Sequence, residues 1–386
     1  MLLVQAAEMM RETEIRSALV STNSVSQGET VANLWRPLFE MGIHLDFAYR
    51  TFIWDSEASM KAHVHCVIIG FSTAINRKPK FIFENDKPQE VKHINGYLIE
   101  ADDVFVDSRN KPISNVPSIC IGSQPIDDGN FLFSKDEMDE FIIKEPASKE
   151  YFHLWYGSQE FINRNPRYCL YLGDCSPSKL RTMPECMKRV EAVREFRLKS
   201  NRAGTKKAAD YPSKFGMTTI PNSDYVVVPK VSSERRRYVP MGFFTPDIYC
   251  SDLVFLIPNA NLYHLGILTS NVHMAWMRTV CGRLKSDYRY SKDIVYNNFP
   301  WPEPTEEQKQ KIEQTAQAIL DARALYPDSS LADLYDPLTM PPELKKAHQA
   351  NDAAVMKAYG MPIKETDEAA CVTWLMRLYQ EKTKVQ

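Results

Sequence analysis

Glycine is scarce in this chain, with 14 in 386 residues, and no two lie two positions apart. G-x-G therefore occurs nowhere, and without that tight turn neither a dinucleotide-binding fingerprint nor a phosphate-cradling P-loop can be written. The eight cysteines, at 66, 120, 169, 175, 186, 250, 281 and 371, contain no C-x-x-C pair. That spacing removes the common zinc ribbons and redox motifs, and eight thiols are too few to staple a chain of this length. G-x-S-x-G is absent too, so a serine-hydrolase elbow finds no support. The longest apolar run, around Cys66 to Phe71, is far short of the roughly 20 residues a membrane helix needs. The N-terminus shows no basic-then-apolar leader. A cytoplasmic protein with no membrane contact is expected.

What is present is ordinary globular composition, 44% hydrophobic and 25% charged, with 47 basic and 49 acidic side chains. The near-balance hides segregation. Residues 84 to 145 carry 6 basic and 14 acidic side chains, a net of −8, whereas residues 179 to 237 carry 15 basic and 6 acidic, a net of +9. A basic block of this kind suits a polyanion, and equally suits a solvated helix face balanced by the acidic segment.

The hydrophobic pattern predicts a strand at 17–21, a helix at 27–41, and an antiparallel pair from 45–54 and 62–71. Residues 76–150 alternate short apolar runs with Asn-Gly, Asp-Asp-Gly and Pro turns, a mostly β region. Met183, Met187, Val190, Val193 and Phe196 recur at three or four residues, which predicts one helix over 178–202 with an apolar stripe and a basic back. After Pro300-Trp301-Pro302-Glu303-Pro304 three helices are expected, over 306–326, 342–359 and 367–384. The proline cluster marks a boundary.

Few spots carry chemistry. His63 and His65 alternate on a strand and would share a face, with Cys66 next to them, as metal ligands or as packing. Asn165-Pro166-Arg167-Tyr168 approaches the Asn/Asp-Pro-Pro-aromatic turn with which amino-methylating DNA enzymes grip a flipped base. Arginine replaces the second proline, and a structural turn is the better reading. The stretch 282–291, GRLKSDYRYS, is more informative. If extended, it puts Lys285, Asp287 and Arg289 on one face and Leu284, Ser286, Tyr288 and Tyr290 on the other. In the DNA major groove a lysine can donate to guanine N7 and O6 while a carboxylate accepts from cytosine N4 of the same pair. A surface salt bridge between Lys285 and Asp287 is the bland alternative.

Several long segments carry a resemblance. LVSTNSVSQGE (19–29), WDSEA (54–58), YGSQEFIN (156–163), PRYCLYL (166–172), VSSERRRYVPMGFF (231–244), HMAWMRTVCGRLKSDYRYS (273–291), YNNFPWPEP (296–304) and LYDPLTMPPELKKAH (334–348) resemble the type IIL, MmeI-type restriction-modification enzymes. The likeness runs over nearly the whole chain and fits the C-terminal part of such an enzyme. It implies an α+β architecture: residues 1–75 as the remnant of a Rossmann-like methyltransferase sheet, 76–300 as a mixed α/β target-recognition domain, and 301–386 as a C-terminal helical domain.

The resemblance also implies function. Lys285 and Asp287 occupy a base-reading pair whose Lys/Asp form goes with G beside the methylated adenine. Lys230 and Asp252 fall on a second pair, implying another G two bases before that adenine, with Leu253 and Arg289 bearing on the base between. Arg181, Lys188, Arg189, Arg194, Arg197, Lys199, Arg202, Lys206 and Lys207 become phosphate contacts, and Arg235, Arg236 and Arg237 follow the same logic. The family's S-adenosylmethionine loop, catalytic turn and nuclease have no counterpart here. The chain is therefore expected to hold no cofactor or metal and not to transfer methyl groups alone. A sequence-specific double-stranded DNA module is the leading expectation. The alternatives are a specificity subunit for a separately encoded methyltransferase half and a non-functional gene fragment. Loss of the neighbouring strand near Leu19 would leave an open sheet edge, so self-association through residues 1–75 is expected.

Overall fold

The computed structural model describes residues 2–54, 64–74, 78–84 and 87–384. Helix α1 (Leu2–Met10) leads into β1 (Arg16–Thr22), α2 (Glu29–Glu40), β2 (His44–Trp54), β3 (Val64–Ser72), β4 (Lys80–Glu84) and β5 (Lys87–Val91). The five strands form one mixed sheet in the order β1-β3-β2-β4-β5. The expected 2–3 hairpin is there, β2 running antiparallel to β3, and β2 runs parallel to β4. The boundary expected at residue 75 falls between β3 and β4 of this sheet. Gly28 sits at φ 57°, which frees the turn into α2. That helix then buries Val31, Ala32, Trp35 and Leu38 on one face, the spacing an amphipathic helix needs. The Trp35 indole donates to the Val25 carbonyl at 2.7 Å.

The middle of the chain runs through β6 (Cys120–Ile121), β7 (Leu132–Phe133), α3 (Lys135–Lys144), β8 (Phe152–Tyr156), α4 (Ser158–Asn163) and β9 (Arg167–Leu170). Helices α5 (Pro177–Leu180), α6 (Pro184–Leu198) and α7 (Ala203–Ala208) follow. Then come β10 (Tyr225–Pro229), β11 (Val231–Ser232), β12 (Gly242–Phe244), β13 (Tyr249–Cys250) and β14 (Val254–Pro258), helices α8 (Leu262–Leu268) and α9 (Asn271–Val280), and strands β15 (Gly282–Leu284) and β16 (Asp287–Arg289). They make three small sheets, ordered β12-β10-β14-β6, β11-β16-β15 and β13-β8-β9-β7. The last of these packs with α6 in its own core around Phe131, Phe133, Trp155, Val190, Val193 and Phe215.

The single helix expected over 178–202 is two, because Pro184 restarts the helix after Met183. Proline lacks the N–H that would continue the earlier turn, yet fits the first turn of the next. The buried stripe of α6 is Cys186, Val190, Val193 and Arg197, whereas Met187 is exposed.

The three C-terminal helices appear where the pattern put them, as α10 (Glu306–Ala324), α12 (Pro342–Ala358) and α13 (Glu368–Lys384), with a short α11 (Leu331–Leu334) between. Thr305 and Gln308 cap α10 reciprocally. These helices lie on the main core rather than apart from it. At Gly266 of α8 an added Cβ would stand 2.6 Å from Ile312 of α10, so only glycine permits that approach. Trp276 of α9 meets Tyr379 of α13 at 5.8 Å between ring centroids. One continuous apolar cluster reaches from Leu3 to Tyr379.

The conspicuous Tyr296-Asn297-Asn298 segment is internal scaffolding. Both asparagines are buried, and their amides donate to the carbonyls of Arg109 and Asp107, fixing the irregular chain that precedes β6. Among the described residues no helix is long and apolar enough to cross a membrane.

Candidate nucleic-acid interface

Residues 282–291 are not one extended strand. Lys285 and Ser286 form the turn of a hairpin, with Leu284 opposite Asp287 and Gly282 opposite Arg289. Lys285 takes φ 58° at that turn, a conformation side chains rarely adopt. The period-two expectation therefore fails at Lys285, which stands at the tip, and holds for Asp287 and Arg289, which share a face of β16. Leu284 joins them on that face. Tyr288 and Tyr290 are buried. Among the described residues no ion pair joins Lys285 to Asp287. Burial pulls the Arg236 guanidinium's pKa down, and the carboxylates of Asp287 and Asp336 oppose that pull.

The hairpin is braced from behind. The Arg283 guanidinium lies 3.9 Å from the Tyr288 ring centroid and donates to the Ser286 carbonyl at 3.0 Å. On its outer edge β11 pairs with β16, placing Val231 beside Arg289, and the Tyr290 amide bonds the Lys230 carbonyl at 2.8 Å. The end of β10 is thereby tied to the hairpin, and Lys230 to Arg289.

The second expected pair meets in space. The Lys230 amide bonds the Leu253 carbonyl at 3.2 Å, so Lys230 sits against the Asp252-Leu253 turn that opens β14. Its ammonium lies 5.1 Å from the Phe255 ring centroid. Burial lowers its pKa, nearby Asp252 works the other way, and Arg289 adds to the lowering. Asp252 itself is held by Gln124, whose Nε2 donates to Oδ2 at 2.7 Å. Leu253 is 53% exposed. Lys230, Lys285 and Arg289 line an open cleft of about 550 Å³ together with Asn23, Ser24, Gln27 and Gly28 from the segment after β1.

The basic helix divides. Arg197 is fully buried, and its guanidinium donates to the carbonyls of Pro125, Ile126, Ala208, Tyr211 and Lys214. It is an internal staple and not a phosphate contact. A charge this deep must have its donors satisfied by the protein itself. Lys188, Arg194 and Lys199 are exposed and paired with acids of the same helix at 2.7, 3.9 and 4.0 Å, contacts too weak to hold them from a phosphate. Arg189 covers the Phe133 ring at 4.9 Å. Arg181, Arg202, Lys206 and Lys207 are exposed and make no ion pair among the described residues. Of the arginine triplet, Arg235 pairs with Asp336 at 3.3 Å and Arg237 rests on Tyr238.

The metal alternative draws no support. His63 lies outside the described residues, and among those described no three acidic, histidine or cysteine side chains gather as metal ligands. His65 instead faces Glu234 at 4.0 Å. Of Asn165-Pro166-Arg167-Tyr168, the first two make a structural turn and the last two open β9: Arg164 ends α4 in the left-handed region, and the Asn165 amide returns to the Glu160 carbonyl at 3.1 Å.

Sequence reasoning missed Gln124 and Arg283. Gln124 is 128 positions from Asp252, and no local pattern links them. Arg283 lies within the 282–291 stretch, and its alternation with Lys285 was the signal available.

Three family models match the chain in succession: the MmeI DNA-methyltransferase domain over residues 1–84, the MmeI target recognition domain over 100–303, and the MmeI C-terminal domain over 304–385. The chain belongs to the MmeI family. It is 42% identical over 377 residues to DNA methyltransferase A of Bacillus subtilis (strain 168), covering 98% of this chain and 43% of that protein. It superposes with a TM-score of 0.92 and 45% identity on the type IIL restriction-modification enzyme MmeI solved in complex with DNA, covering 99% of this chain and 52% of that one. The chain thus spans about half the length of these relatives. Its hairpin, the Lys230 corner and the basic helix all fall within the MmeI target recognition segment.

Proposed function

We propose that this chain binds double-stranded DNA and reads its sequence as the recognition part of an adenine-N6 methylating, MmeI-type enzyme. One observation carries the reading: the Tyr290–Lys230 and Lys230–Leu253 backbone bonds tie the hairpin of Lys285, Asp287 and Arg289 to Lys230 and the Asp252-Leu253 turn, with Lys285, Arg289 and Leu253 exposed and the other three half-buried. Each Lys/Asp couple offers a donor for guanine and an acceptor for the paired cytosine. Leu253 and Arg289 bear on the base between. Arg181, Lys188, Arg189, Arg194, Lys199, Arg202, Lys206 and Lys207 would hold the phosphates and set register without reading sequence.

Binding to a duplex should weaken steeply with salt, as phosphate contacts release counterions. Affinity indifferent to ionic strength would rule the proposal out. Lys285→Glu combined with Asp287→Arg should exchange G for C at one recognised position, because the acceptor and donor trade strands. An unchanged preference would show that this couple does not touch bases.

The residues present contain neither a glycine-rich loop for S-adenosylmethionine nor the catalytic Asn-Pro-Pro-aromatic turn, and no part of methyl transfer is assigned to them. A second reading, a recognition subunit completed by a separately encoded methyltransferase half, is favoured by one feature. Strand β1 lies at the sheet edge, none of its residues fully buried. Mixing with such a half should restore methyl transfer, and persistent inactivity with every candidate half would count against it.

A further inference from the structure

Asp252 lies half-buried in the turn that opens β14, where a carboxylate without a partner would sample several rotamers and present no fixed acceptor to a base edge. It is not free. The Gln124 amide holds Oδ2 at 2.7 Å, and Oδ1 has no hydrogen-bond partner among the described residues. Nor has Gln124 Oε1. The Gln124 bond therefore restrains the carboxylate while leaving Oδ1 without a partner among the described residues.

The backbone under Gln124 is held as firmly. Its N–H donates to the Met217 carbonyl at 2.8 Å and its carbonyl accepts from the Met217 N–H at 3.0 Å. The Asp252 N–H bonds the Ser123 carbonyl at 2.9 Å. The next two carbonyls, of Pro125 and Ile126, accept from buried Arg197. A side chain carried on such a support loses little further freedom when DNA arrives, which is what a recognition group needs.

We infer that Gln124 is a positioning residue for base reading: it fixes the Asp252 carboxylate, so that Oδ1 accepts the one exocyclic N–H left free in the major groove on the base paired to the one Lys230 contacts. This rests on the reading of Lys230 and Asp252 as a base-contacting couple. It adds a third side chain, from a distant part of the chain, to the determinants of that one position.

The test uses the whole chain and a duplex library randomised across the recognised bases, with bound sequences counted position by position. Asp252→Ala is the control that establishes which position the couple reads. Gln124→Leu should cut discrimination at that same position by roughly fivefold, the scale of one base-edge bond, and leave the Lys285/Asp287 position and the salt dependence intact. Gln124→Glu keeps the side chain's size but sets a carboxylate against Asp252, and should cut it further. That second variant keeps the test open if the leucine variant folds poorly. If Asp252→Ala relaxes a position and neither Gln124 variant does, Gln124 does not position the carboxylate. Equal relaxation at both positions would mean a structural role only, and would overturn the inference too. If Asp252→Ala itself changes nothing, the underlying couple is wrong and the inference falls with it.

Discussion

The guanidinium of Arg283 lies over Tyr288, 3.9 Å from its ring centroid, directly across the two-stranded hairpin from it. The same group holds the turn carbonyl of Ser286 and faces Glu234 at 3.8 Å. A three-residue hairpin is marginal by itself, so the rigidity of the Lys285 tip comes from this clamp. Lysine cannot replace it, having neither the plane that stacks nor the fork that spans both partners. Arg283→Lys should weaken binding to the specific duplex by about 1 kcal/mol while binding to random DNA stays the same. Parallel titrations of both duplexes check this, and equal losses on the two would contradict it.

Arg197 and the Lys206-Lys207 pair, nine and ten positions further along the sequence, should behave in opposite ways. Arg197→Met strands five carbonyls that now accept from it, and should lower unfolding free energy by about 3–5 kcal/mol. Urea denaturation measures that. Replacing Lys206 and Lys207 together by alanine should leave stability nearly unchanged and make the slope of log affinity against log salt shallower by about two. An Arg197 variant of full stability would refute the staple.

How much of this was legible beforehand follows from the range of each signal. The C-terminal helices were readable because Thr305 with Gln308, and the proline opening α12, announce themselves within one turn. Strands of two or three residues, such as β6, β7, β11 and β13, are too short for any periodicity to show. Pro184 was a visible breaker outweighed by the surrounding apolar spacing. Arg197 was misread for its residue type, although its position seven after Val190 and four after Val193 lies on the apolar stripe.

At the site, Lys285, Asp287 and Arg289 could be picked out as a group from residue chemistry, but the turn between them could not. Lys285-Ser286 lacks the Asn-Gly or Asp-Gly pair that marks a tight hairpin. Its left-handed lysine is imposed from outside, by Arg283 and by the pairing of β16 with β11. The meeting of Lys230 with Asp252 and Gln124 is wholly tertiary. It depends on β10, β14 and β6 lying side by side, which chain order does not announce.

Acid should destabilise this protein well before its carboxylates titrate. His273 is completely buried, its Nε2 2.9 Å from the Tyr290 hydroxyl, and burial pushes its pKa from 6.5 down to about 3. Burial takes His264 to about 4 and lowers His348 well below the usual value. The unfolded chain takes up these protons below pH 6.5 while the folded one refuses them. Stability is therefore full above pH 6.5 and falls as pH drops, with His273 contributing about 1.4 kcal/mol per pH unit down towards 3 and His264 adding to it down to about 4. Melting temperatures between pH 7 and pH 4 should show the decline. His273→Gln should lower the neutral value, by disturbing Tyr290, and flatten the acid slope. An unchanged slope would contradict the assignment.

Strand β1 decides how the protein behaves in solution. It pairs only with β3 among the described residues, leaving its other edge with backbone groups that a further strand could satisfy. Val20 is 54% exposed, Ile15 54%, Leu2 72% and Met9 81%, an apolar fringe along the same segment. An edge of this kind without proline, bulge or inward charge invites pairing, and nothing in Arg16–Thr22 supplies such a guard facing outward from its middle. The chain should therefore associate with itself as concentration rises. Val20→Lys places a charge on the edge strand and should return it to monomer without altering DNA preference, since β1 carries none of the reading side chains. A methyltransferase half able to pair with β1 should compete with self-association and dissolve it. Sedimentation velocity over a concentration series distinguishes these outcomes, and a clean monomer throughout for the unaltered chain would show that the open edge is harmless.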